Sequence, residues 1–146
     1  MRAVVQRVHS AKVTVDGAVV GEIQSGLCVL LGIHTTDTTA QADWMIHKLV
    51  NLRIFADDDD KMNKSLLDIN GGLLLVSQFT LYGDAQKGFR PSFIDAARPE
   101  IAEPLYNYMV EKLRNDYTLL IQTGKFGAMM DVSLTNTGPV TLLLEK

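Results

Sequence analysis

The chain has 146 residues, enough for one domain with a single substantial core, and 47% of them are apolar against 21% charged. No apolar run is long enough to span a bilayer, and Arg7, His9 and Lys12 interrupt the stretch where a signal peptide would need its apolar centre. A net charge of −3 argues against a protein that coats nucleic acid with a broad basic face, but not against one that grips only a strand end.

Residues 2–23 alternate as two strands joined at Asp16-Gly17, a pair that signals a hairpin between such runs. Residues 26–33 read as a continuous buried strand. It carries the single Cys28, which has no disulfide partner within the chain, as suits a reducing cytosol; apolar surroundings leave such a thiol inert. Thr38 or Thr39 then caps a helix running to about Leu52, with Ala42, Met45, Ile46, Leu49 and Val50 on its apolar face. His34 and His47 lack a partner at ligand spacing and read as structural or solvent-facing. Arg53-Ile54-Phe55 looks like a short strand leading into the aspartates 57–60. That run lacks the alternating spacing and closing Glu of a calcium loop, so it reads as a solvated loop and no metal is expected.

The central segment is Gly71–Asp84, GGLLLVSQFTLYGD. A buried strand, Leu73–Val76, gives way to Ser77, Gln78, Phe79 and Thr80, an exit with three polar side chains and no charge. Such groups on a rigid strand can hold a polar ligand. Taken alone, the segment reads first as an ordinary strand end with solvated hydroxyls. A loop of roughly fifteen residues follows, long enough to suggest function. Its Lys87, Phe89, Arg90 and Phe93 suit phosphate contact and base stacking, although Phe93 reads better as an anchor on the core. Pro99 and Glu100 open a helix to about Asp116, with Ile101, Leu105, Met109 and Leu113 on one side. Strands are expected at 119–123, 131–135 and 140–144, with Asn-Thr-Gly-Pro between the last two. The whole reads as a single mixed α/β domain over residues 1–146. No hydrolase elbow, zinc helix, Walker loop or dinucleotide fingerprint is present. Either the chain only binds, or its reaction needs little from side chains.

Four stretches together resemble one family, the D-aminoacyl-tRNA deacylases. They are Ser77-Gln78-Phe79-Thr80-Leu81, then Gly88 with Arg90-Pro91-Ser92-Phe93, then Gly124–Met129, and Asn136-Thr137-Gly138-Pro139-Val140-Thr141. The opening MRAVVQRV, the early hairpin and Lys61-Met62-Asn63 extend the likeness over nearly the whole chain. Thr137 departs from it, since the family often carries Asp there.

The resemblance implies barrel-like hairpins with two amphipathic helices packed on one side. It also implies a cytosolic homodimer without cofactor that hydrolyses the ester between a D-amino acid and the 3′-terminal adenosine of tRNA. Gly138-Pro139, in the cis form, is implied to project into the partner subunit's site and reject L-residues. A steric filter cannot easily reject glycine, so the resemblance implies glycine mischarged on tRNA-Ala as an expected second substrate. Thr80 is placed nearest the ester, where its hydroxyl attacks, orients water or only positions the substrate; the favoured route has the N–H groups around Phe79 and Thr80 facing the oxyanion and the terminal ribose 2′-hydroxyl activating water. Ser77 and Gln78 bind substrate; Phe89 and Met129 line the adenosine pocket, with core packing an open alternative for Met129. Two other readings stay open: a non-catalytic module for RNA 3′ ends, and a hydrolase of small esters.

Overall fold

The computed structural model describes residues 1–146. Strand β1 (Arg2–Val15) is the spine of the sheet. Its first half pairs antiparallel with β3 (Gly26–Gly32) and its second half with β2 (Ala18–Ile23). The hairpin between β1 and β2 turns at Asp16 and Gly17, both with positive φ, the combination a tight two-residue turn requires. Beyond β3 lie β6 (Gly72–Ser77) and β7 (Ile121–Thr123), each parallel to its neighbour. Along its other side β1 pairs with β8 (Asp131–Glu145). A separate small hairpin joins β4 (Phe55–Ala56) to β5 (Met62–Lys64).

The sheet curls until β2 meets β7, giving a nearly closed barrel. Gly21 permits that closure, because a Cβ there would sit 2.3 Å from the carbonyl oxygen of Thr123. Alternation along β6 divides the core in two. Leu74 and Val76 point into the barrel with Val13, Ile23 and Cys28, while Leu73 and Leu75 meet the helices. Helix α1 (Thr39–Asn51) starts with a capping box between Thr38 and Gln41 and buries Ala42, Met45, Ile46, Leu49 and Val50. Helix α2 (Pro99–Asp116) packs beside it on the same face, so the expected α/β barrel with two helices on one side is what forms.

Several expectations change, among them the strand expected at 119–123, which spans only Ile121–Thr123. The strand expected at Arg53 begins at Phe55, because its partner β5 reaches only Phe55 and Ala56. Ile101 is 47% exposed; Ala102 and Tyr106 take the inward positions of α2 instead. The two C-terminal strands are one. Asn136 pairs with Val8 and Thr141 with Gln6, so Thr137–Val140 bulge opposite the single residue Arg7 and pairing resumes beyond them.

Candidate active site

At Ser77 the parallel pairing of β6 ends and Gln78 donates its N–H to the Leu31 carbonyl at 2.7 Å. The chain then winds into a 3₁₀ turn, Phe79–Tyr82, so Thr80 stands on a turn and not on the strand. Tyr82 is buried beneath it, and Arg2 Nη1 donates to the Leu81 carbonyl at 3.2 Å. Burial pushes the Tyr82 phenol up to about 12, so it stays neutral. Leu81 N–H bonds back to Gln78, but the N–H groups of Phe79 and Thr80, which open the turn, have no acceptor within the protein. Gln78 Nε2 donates to Thr80 Oγ1.

This turn forms one wall of a cavity of about 680 Å³, a volume within the range of small-molecule sites. The second wall is the loop after β7, Phe126–Met130. It is tied to β6 at Leu75, whose carbonyl accepts from Gly124 N–H at 3.1 Å and from the buried Tyr106 hydroxyl at 2.7 Å. Tyr106 also packs on Phe126, with ring centroids 5.9 Å apart. The third wall is Ala96–Pro99 with Ala102, at the start of α2. Phe93 closes one side by stacking edge-on against Phe79 at 5.2 Å, which makes it both loop anchor and cavity lining.

Polarity in the cavity comes from Ser77, Gln78, Thr80 and one charged residue, Arg98. No His, Asp, Glu, Lys, Cys or Tyr lines it. His34 instead packs on Tyr82 and bonds Thr36, while His9 and His47 are exposed on β1 and α1. Cys28 is buried in the barrel and its thiol is pushed up to about 11 by desolvation. The aspartate loop 57–60 is largely exposed and turned on itself, with Asp57 accepting from Asn63, Asp59 and Lys61. The Asn63 bond is the main reason that the Asp57 carboxyl lies below its ordinary range.

Of the residues singled out in the sequence, the cavity gathers Ser77, Gln78, Phe79, Thr80 and Met129. Met129 is nearly fully exposed, a rim residue and not core. Phe89 does not line the cavity; it stands fully exposed on the loop pinned by the Asp84–Ser92 bridge. Phe126 and Arg98 were missed. Arg98 carried a signal, since it occupies the N-cap of α2, where Ser, Thr, Asp or Asn is the rule.

Gly138-Pro139 is a cis peptide and lies outside the cavity, exposed on the β8 bulge. The bulge is braced on both sides. Asn136 Oδ1 accepts from Val140 N–H at 3.1 Å and its amide donates to Thr141 Oγ1 at 3.0 Å. Arg7 donates through Nε to the Thr137 carbonyl at 3.2 Å and through Nη1 to the Ile54 carbonyl at 2.6 Å.

Fold and cavity together define a small α/β protein whose nucleotide-sized site offers main-chain donors and no side-chain base. Comparison with known proteins gives that class its family. Residues 4–145 match the model of the D-Tyr-tRNA(Tyr) deacylase family, and the chain belongs to that family. The D-aminoacyl-tRNA deacylase of Thermosipho melanesiensis is 57% identical over 145 residues, covering 99% of this chain and 97% of that protein. A solved structure titled "c-Myc DNA Unwinding Element Binding Protein" superposes with a TM-score of 0.95 at 47% identity, covering 100% of this chain and 99% of that one. A second, a probable eukaryotic D-amino acid tRNA deacylase, shares the fold with a TM-score of 0.82 at 16% identity, covering 98% of this chain and 97% of that one. No helix is long and apolar enough to cross a membrane.

Proposed function

We infer that this chain is a D-aminoacyl-tRNA deacylase: it hydrolyses the ester between a D-amino acid and tRNA, a proofreading step of translation. In the reading we propose for the chemistry, the substrate's carbonyl lies against the turn that opens at Phe79. The unpaired N–H groups of Phe79 and Thr80 take the charge that develops on the carbonyl oxygen. Water is activated by the 2′-hydroxyl of the terminal ribose, because the cavity has no side chain that can serve as base. That combination, main-chain donors without a titrating partner, is the observation that carries the mechanism. Ser77 and Gln78 hold the substrate, and Met129 with Phe126 covers the adenosine.

Discrimination between hands is assigned to Gly138-Pro139. Its exposed position outside its own cavity favours delivery to a second copy's site, in a cytoplasmic homodimer. There its carbonyls would bind the α-ammonium and fill the volume an L side chain needs. A D side chain points elsewhere, and glycine passes because it has nothing to exclude; glycine on tRNA-Ala is the second substrate of this reading.

The test is incubation with D-Tyr-tRNA, L-Tyr-tRNA and Gly-tRNA-Ala. Free D-tyrosine and glycine are expected, with L-tyrosine retained on its tRNA. Protection of the D-ester against spontaneous hydrolysis would instead identify a module that merely holds RNA 3′ ends. Delivery between subunits has its own check. A Phe79→Pro chain mixed with a chain lacking Gly138 and Pro139 should recover activity that neither has alone.

A further inference from the structure

We propose that Arg98 forms a phosphate subsite for the phosphodiester on the 5′ side of the terminal adenosine, an inference that rests on the deacylase reading above. Arg98 is the one charged residue lining the cavity, and its side chain is exposed. It takes part in none of the protein's ion pairs, although Asp95 and Glu100 lie within three residues of it in sequence. Its side chain makes no hydrogen bond within the protein, and its cap position is served by its backbone carbonyl, which accepts from Ile101 and Ala102 N–H at 2.9 Å each. The five donors of the guanidinium are therefore free for a ligand with paired oxygens.

The substrate supplies one such group within a ribose's span of the ester, and the charges set its direction. An α-ammonium placed against Arg98 would be repelled, so the aminoacyl end lies toward the Phe79–Thr80 turn and the nucleotide end toward α2. Aromatic and thioether side chains, Phe126 and Met129, lie on the wall that remains for the base. The net charge of −3 makes a cation at this mouth more useful, since the protein as a whole does not attract a polyanion.

Three D-tyrosyl esters test this: of adenosine, of adenosine 5′-monophosphate, and of tRNA. The wild-type KM should be lower for the nucleotide ester than for the nucleoside ester. Arg98→Ala should raise KM for the nucleotide ester and for D-Tyr-tRNA by about tenfold or more, with kcat kept and the nucleoside ester unaffected. Arg98→Lys should restore part of the effect, as a point charge without the fork. With D-Tyr-tRNA, the slope of log kcat/KM against log salt should shrink by about 0.7, the release expected for one phosphate of a single strand. Loss of kcat on the nucleoside ester as large as on the nucleotide ester would overturn the subsite and move the guanidinium to the ester. An unchanged salt slope in Arg98→Ala would also overturn it, and that arm needs only the tRNA substrate. A wild-type protein that hydrolyses none of the three esters would instead refute the deacylase reading.

Discussion

Replacing Thr80 by Val, and separately removing the 2′-hydroxyl of the terminal adenosine, separates a nucleophile from a bystander. Thr80 is exposed and its hydroxyl accepts from the half-buried Gln78 amide. Valine keeps the shape of the side chain and deletes that bond, which water can replace. A net hydrogen bond of about 0.5–1.5 kcal/mol bounds the loss at roughly 2- to 12-fold in kcat/KM. A threonine nucleophile would cost far more, about 10³-fold or beyond, since nothing else could take its place. The 2′-deoxy substrate should lose about 10²- to 10⁴-fold, the ordinary contribution of a positioned proton acceptor. Single-turnover deacylation of D-Tyr-tRNA, with enzyme in excess, reads the chemical step without product release. Collapse of Thr80→Val together with near-normal turnover of the 2′-deoxy substrate would refute the reasoning.

Four further outcomes follow from the same geometry. Phe79→Pro removes an N–H at the first position of its turn, where proline is tolerated, and should lower kcat about 10²- to 10³-fold; Phe79→Ala, which keeps the N–H and loses only the stack on Phe93, should fall less than tenfold. Arg7→Ala removes the donor to Thr137 and should narrow the ratio of D-Tyr-tRNA to L-Tyr-tRNA hydrolysis, whereas an unaltered ratio would show that Asn136 suffices to brace the bulge. Tyr106→Phe deletes a buried bond but leaves Leu75 its Gly124 donor, so the loss is about 1 kcal/mol and Tm should drop by about 2–4 °C in a thermal melt. The Cys28 thiol holds its proton to about pH 11 when folded against 9.0 for the ordinary group, so the unfolded chain ionises first. Its contribution is complete below pH 9 and is lost as pH climbs toward 11, by up to about 1.4 kcal/mol per pH unit; denaturant melts of Cys28→Ala should be flatter over that window.

Local grammar made much of the fold readable. Asp16-Gly17 declares a turn and Thr38 or Thr39 a cap within a few residues, and the structure places a hairpin and a helix there, with Thr38 as the cap. Asn136–Pro139 misled for the same reason. Its turn residues suggested a chain break, whereas pairing with β1 on both flanks carries one strand through it. The polar exit of β6 was visible as a cluster, but its geometry was not, because the turn at Phe79 depends on packing against Gly32, Tyr82 and Arg2. Arg98 and Phe126 reach the cavity from segments 20 to 50 residues away in sequence; the unusual N-cap and the Gly124–Met129 stretch mark the two places, but not that the fold brings them together. Phe89, read as a pocket wall beside Lys87 and Arg90, stands instead fully exposed on its loop, outside the cavity lining.

The donors at Phe79 and Thr80 belong to the backbone, and a gene can rewrite every side chain around them without erasing either one. Proline alone deletes such a group outright. Inherited variation in this region would then be filtered through the trajectory of the polypeptide and not through the identity of a reactive atom, so damaging alleles should scatter among the residues that shape the path from β6 into its turn.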